Sequence, residues 1–273
     1  MEGLVALLLA ISDWLFVALN GLSGRSWLFD TLVALPVDNP LVKAGPIGAA
    51  FVYAWYSGRD EAEAKRRRSI LLVTMASVLA VLAVTKTLSN DIFLPRPFVQ
   101  SEQAWHIEDG RLIEAPRLAY RAPLEGETKQ RYEALRQGEV VENDLSSFPS
   151  DHAGFFVALA MGIFLASRAA GALALLWTFF AILLTRIITG LHSPLDIAAG
   201  GAIGAVVLLG AQWLAARRWA RRAVEPVSGW TLRHGAVAAA LLFLVAFEAT
   251  NALQNVRNLA GTAQDIVGAV SGA

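Results

Sequence analysis

The feature that most constrains this chain is a succession of long apolar blocks separated by tight clusters of arginine and lysine. The blocks run from Leu41 to Tyr56, Ile70 to Leu88, Ala153 to Ala166, Ala170 to Ile188, Leu195 to Ala215 and Leu232 to Ala249. A helix rising about 1.5 Å per residue needs some ~20 residues of this kind to cross a hydrocarbon layer about 30 Å thick. The expectation is an all-α fold, a polytopic membrane bundle of about six transmembrane helices. Composition agrees, because 55 % of the residues are hydrophobic, 17 % are charged and the mean hydropathy is +0.49, which excludes an ordinary soluble globule. The 23 Lys and Arg balance the 23 Asp and Glu, so no bulk charge points to nucleic acid. The absence of cysteine excludes a disulfide scaffold, a zinc-thiolate site and an iron-sulfur cluster.

The basic clusters orient the bundle. Lys65 to Arg68 follow Tyr53, Trp55 and Tyr56, an aromatic belt suited to headgroup level, and Arg217, Arg218, Arg221 and Arg222 follow the fifth block. With both clusters cytoplasmic, the polar stretch 95–148 and the turn Gly190 to Pro194 fall on the opposite, outer face. Residues 1–40 are read as amino-terminal interfacial or re-entrant helices. Their first piece, Gly3 to Leu22, is an uncleaved apolar helix bearing Asp13 and Asn20, and either lies in the interface or crosses. Residues 41–94 supply the first two spans, 149–250 the remaining four, and 251–273 an outer tail. The 95–148 loop is either a folded cap or partly disordered, with a short helix-compatible run from Glu127 to Gln137.

Three segments then place unusual polar residues at the outer ends of the spans. In the third, Arg186, His192 and Asp196 are joined by a turn containing Gly190 and Pro194, so all three can face one pocket. Asp196 stands four residues after His192, close enough to hold one imidazole nitrogen and leave the other as a nucleophile; alternatively it is an acid in the first turn of the next helix. In the second, Pro149-Ser150-Asp151-His152 reads as a helix start whose cap and free amides form an anion seat, and His152 is either a catalyst or a surface residue. In the first, Arg96 between Pro95 and Pro97 presents a fork that fits phosphate oxygens, or else snorkels to lipid headgroups. Together they suit phosphoryl transfer through a phospho-histidine.

These residues resemble the type-2 phosphatidic acid phosphatase (PAP2) superfamily of membrane lipid phosphatases. Its signature is Lys, six residues, Arg-Pro; then Pro-Ser-Gly-His; then Ser-Arg, five residues, His, three residues, Asp. The third part is met by Arg186, His192 and Asp196, with Thr185 in place of Ser. The second is met by Pro149, Ser150 and His152, with Asp151 in place of Gly. Arg96-Pro97 ends the first part, but Ser89 occupies the lysine position and Lys86 lies one helical turn earlier. The wording is most like the bacterial undecaprenyl-diphosphate phosphatase branch. The resemblance implies His192 as nucleophile oriented by Asp196, and His152 as acid and then base. It implies that Arg96, Arg186, Ser150 and, in this chain, Lys86 hold the phosphate of a lipid substrate, with no metal or other cofactor. His106 and His234 fall outside the motifs and are expected to be dispensable.

Overall fold

Short polar residues set the helix starts. Asn39 accepts from the amides of Leu41 and Val42 with Pro40 behind it, Asp60 from Glu63, Ser150 from Ala153, and Ser193 from Asp196 with Pro194 behind it. The computed structural model describes residues 2–92, 94–102, 105–108, 111–114, 118–139 and 146–250. In chain order these form α1 (Glu2–Asn20), α2 (Trp27–Asp38), α3 (Pro40–Tyr56), α4 (Glu61–Asp91), α5 (Pro97–Glu102), β1 (Trp105–Glu108), β2 (Arg111–Glu114), α6 (Glu127–Arg136), α7 (Asp151–Ala166), α8 (Arg168–Trp177), α9 (Leu184–Ile188), α10 (Pro194–Ala215), α11 (Arg218–Arg233) and α12 (Gly235–Thr250). A π-helical stretch, Thr178–Leu183, joins α8 to α9 in one continuous rod.

The core forms around α7. Phe156 and Ile163 of α7 bury against Ile47, Phe51 and Trp55 of α3, Leu71 of α4 and Ile182. Close approach to α10 depends on glycine. A Cβ at Gly204 would stand 2.3 Å from the Gly154 carbonyl oxygen, and one at Gly200 2.1 Å from that of Ser150. Small residues bring the two backbones into contact, which sets the start of α7 beside the start of α10.

Among the described residues, four helices are long and apolar enough to cross a membrane, namely Gly3–Asn20, α4, the α8 to α9 rod and α10. This multi-pass bundle agrees with the expected architecture, while the count of about six is not reached by length alone. α3 and α7 carry 17 and 16 residues. The last expected block is not straight: α11 and α12 meet at 110° around His234, and counting that bent pair as one span gives five. α11, with Arg218, Arg221 and Arg222 on it, is a separate basic helix where the sequence reading has only a basic cluster between two spans. One of its carbonyls, at Thr231, accepts from Arg68 Nη1 at 2.6 Å, and Gln212 near the end of α10 donates to the Ile70 carbonyl at 2.9 Å, which brings both basic clusters to the same end.

The polar 95–148 segment is folded where it is described. Tyr132 and Leu135 of α6 bury against Val37, Phe98 and Leu191. The Tyr132 hydroxyl donates to the Thr189 carbonyl, and Thr128 donates to Asp38. The antiparallel pair β1 and β2 is an addition to an otherwise helical fold. His106 lies on β1, away from the expected site residues in sequence. The expected outer tail, 251–273, lies outside the described residues.

Candidate active site

His192 sits in the turn between α9 and α10. Gly190 adopts φ +78, a conformation that favours glycine, and the amides of Leu191 and His192 both donate to the Arg186 carbonyl, at 2.9 and 3.2 Å. The imidazole is almost fully buried. Its Nδ1 is 3.1 Å from the Ser147 carbonyl oxygen, which can only accept, so the Nδ1 proton is assigned from that partner and Nε2 is left with a free lone pair. Burial pushes the His192 pKa down to about 4, keeping the ring neutral at pH 7.

Asp196 does less, directly, than the resemblance implies. Its Oδ2 is 3.8 Å from His192 Nδ1, beyond hydrogen-bond range. The same oxygen accepts from the Ser193 amide at 2.7 Å, while the Asp196 amide donates to Ser193 Oγ at 3.2 Å. This reciprocal capping box fixes the turn that carries His192. The capping alternative is therefore realised, with the carboxylate charge still next to the imidazole.

His152 occupies the first turn of α7 and is partly exposed. Its Nδ1 lies 2.7 Å from Asp151 Oδ1, so the carboxylate holds that nitrogen and leaves Nε2 for another partner. Asp151 is the residue that replaces the signature glycine. Ser150, fully buried, accepts from the Ala153 amide at 3.3 Å and donates its own amide to the Asp196 carbonyl at 3.1 Å. It is the cap that ties α7 to α10, and it does not line the cavity described next.

That cavity, about 480 Å³, opens between the ends of α3, α4, α7 and α9 under α6. His152, His192, Arg96, Arg186 and Lys86 all line it. Arg96 donates through Nη1 to the Leu191 carbonyl at 3.1 Å, and its Nε is buried with no partner among the described residues, a donor left for an anion. Lys86 reaches the space whereas Ser89 does not line it. The sequence reading missed Asp151, the Ser147 carbonyl, and two further cations in the wall, Lys43 and Arg131. The departure from Gly at 151 was the only one of these with a visible signal.

A second, apolar groove of about 400 Å³ runs between α3, α4, α7 and α12 past Phe51, Val78, Phe155 and Leu242. It shares Pro40, Lys43, Asp151 and His152 with the polar cavity, so the two spaces adjoin at those residues. Among the described residues no three His, Asp or Glu side chains gather as a metal site.

The model of the PAP2 superfamily matches residues 67–220, more than half of the 273 residues. The chain belongs to the PAP2 superfamily. The match takes in all three motif segments and the helices α4, α7 and α10 that hold them. Over 78 residues the chain is 38 % identical to the bacitracin transport permease protein BcrC of Bacillus licheniformis, a stretch covering 28 % of this chain and 38 % of that protein. No solved structure matches the chain.

Proposed function

We propose that this PAP2 protein is an integral-membrane phosphatase that removes the terminal phosphate of a lipid diphosphate on the outer face of a bacterial inner membrane, with undecaprenyl diphosphate as the substrate. The observation that carries the reading is one cavity lined by two imidazoles and several cations, with an apolar groove adjoining it at shared wall residues. His192 Nε2 attacks the terminal phosphorus, forming a phospho-histidine as the bond to the bridging oxygen breaks. His152 gives its proton to that oxygen and then takes one from the water that releases phosphate. Arg96 and Arg186 balance charge on the equatorial oxygens, a role that divalent metals fill in other phosphoryl-transfer sites. Asp196 and Ser150 support the two histidines from behind, through the caps they form. The groove receives the polyprenyl chain.

Within the same class, phosphatidic acid or phosphatidylglycerophosphate hydrolysis, or phosphate transfer to another lipid, uses the same chemistry. A second class is a headgroup binder or transporter without turnover, a reading favoured by the relative named as a transport permease. Phosphate release from C55 diphosphate and from short diacyl phosphates, by purified protein in detergent with a chelator, separates them. The expected result is turnover of the diphosphate with chelator present and a loss of at least about 1000-fold in His192→Gln with substrate still bound. Binding without turnover in the wild type supports the transporter, and activity abolished by chelation removes the metal-independent mechanism.

A further inference from the structure

The PAP2 signature accounts for Arg96 and Arg186, yet the cavity wall holds five cationic side chains, Lys43, Lys86, Arg96, Arg131 and Arg186, against the three carboxylates Asp38, Glu127 and Asp151. Each of those carboxylates is already engaged. Asp38 accepts from Thr128, Asp151 holds His152, and Glu127 pairs with Arg131 at 3.2 Å. Lys43 has no carboxylate within 4.0 Å among the described residues. It is half-buried, and the charges acting on it are led by the like charges of Arg186 and Arg131, with the carboxylates Asp38 and Glu127 opposing them less strongly. Cations gathered this way repel one another unless an anion lies between them.

Position makes Lys43 informative. It stands in the first turn of α3, in the wall that the polar cavity and the apolar groove share, as does His152. A phosphate under attack by His192 lies in the polar cavity, and a lipid chain lies in the groove. The shared wall therefore meets whatever joins them. In a monophosphate ester that is one oxygen; in a diphosphate it is the bridging oxygen and a second, chain-bearing phosphate with its own negative charge.

Resting on the proposed phosphatase reading, we infer that Lys43 is a specificity residue that binds the chain-bearing phosphate of a lipid diphosphate, a second phosphate seat between the transfer site and the chain groove. It neutralises charge on the phosphate that departs with the lipid, while His152 protonates the bridging oxygen.

The test uses the full-length protein in detergent, as wild type, Lys43→Met and Lys43→Arg. Inorganic pyrophosphate and orthophosphate are titrated calorimetrically, and kcat/KM is measured for a polyprenyl diphosphate and the monophosphate of the same chain. Loss of one charge-assisted contact is worth about tenfold. Lys43→Met is expected to weaken pyrophosphate binding and diphosphate turnover by about that factor, with orthophosphate binding and monophosphate turnover within about twofold, and Lys43→Arg is expected to recover most of the loss. Equal losses on both ligands, or no loss on either, overturn the second seat. A selective loss of pyrophosphate binding in a protein that turns over no lipid diphosphate sustains the seat and overturns the function instead.

Discussion

At the scale of single residues, the two histidines are prepared differently. His192 is enclosed and takes its tautomer from a backbone carbonyl, whereas His152 is more open and takes its own from a carboxylate. The nucleophile must be neutral, and its pKa of about 4 arises first from burial, with Arg96 acting in the same direction. A free imidazole titrates near about 6.5, so between that value and about 4 the unfolded chain binds a proton that the folded His192 refuses, and stability falls as the pH is lowered through this window. The nucleophile itself remains unprotonated across the same window. In a histidine-labelled sample, nuclear magnetic resonance is expected to show one ring, absent from His192→Gln, with a midpoint close to 4. A His192 midpoint at or above the free-imidazole value contradicts the enclosed neutral nucleophile.

At the scale of elements, the site depends on how closely α7 and α10 approach. Gly204→Ala drives a methyl group against the Gly154 backbone, which has no room to move without separating the helices. Overpacking of this kind costs about 1–3 kcal/mol, and it displaces the caps at Ser150 and Ser193. Thermal unfolding in detergent and phosphate release are both expected to suffer, with activity down about tenfold or more. Gly210→Ala, on the same helix but with nothing within 4 Å of the added carbon, is the control and is expected to change neither. Unchanged melting and rate in Gly204→Ala count against this packing.

This is also the scale at which the sequence was most and least legible. Apolar blocks and caps place α3, α4, α7 and α10, because periodic burial and Ser or Asn starts are local properties. Arg96, Arg186, His152 and His192 meet in one cavity through tertiary packing, and they were legible because each sits in a recognisable motif. Lys43 and Arg131 were hidden because they reach it from α3 and α6, separated by about ninety residues of chain, and only tertiary packing joins them. The separate α11 was hidden because its arginines and apolar residues average out in a hydropathy window. The resemblance gives Ser150 to the phosphate and Asp196 to orienting His192, yet both side chains form helix caps, a use equally compatible with their spacing.

For the whole molecule, the decisive relation is between the charged ends of the bundle. Arg68 reaches the Thr231 carbonyl at one end, while the cavity and the α6 cap lie at the opposite ends of α4, α7 and α10. If the basic end is retained in the cytoplasm, the cavity meets the outer water layer, and a lipid phosphate displayed there reaches it without crossing the membrane. Because the chain has no cysteine, single substitutions report on each end without background. Glu133→Cys lies on the exposed side of α6, and Arg222→Cys on the exposed side of α11. In sealed right-side-out vesicles, an impermeant maleimide is expected to label the first and spare the second, with labelling of Arg222→Cys appearing only after detergent is added. The reverse pattern turns the cavity inward, and the substrate must then be a lipid phosphate of the cytoplasmic leaflet.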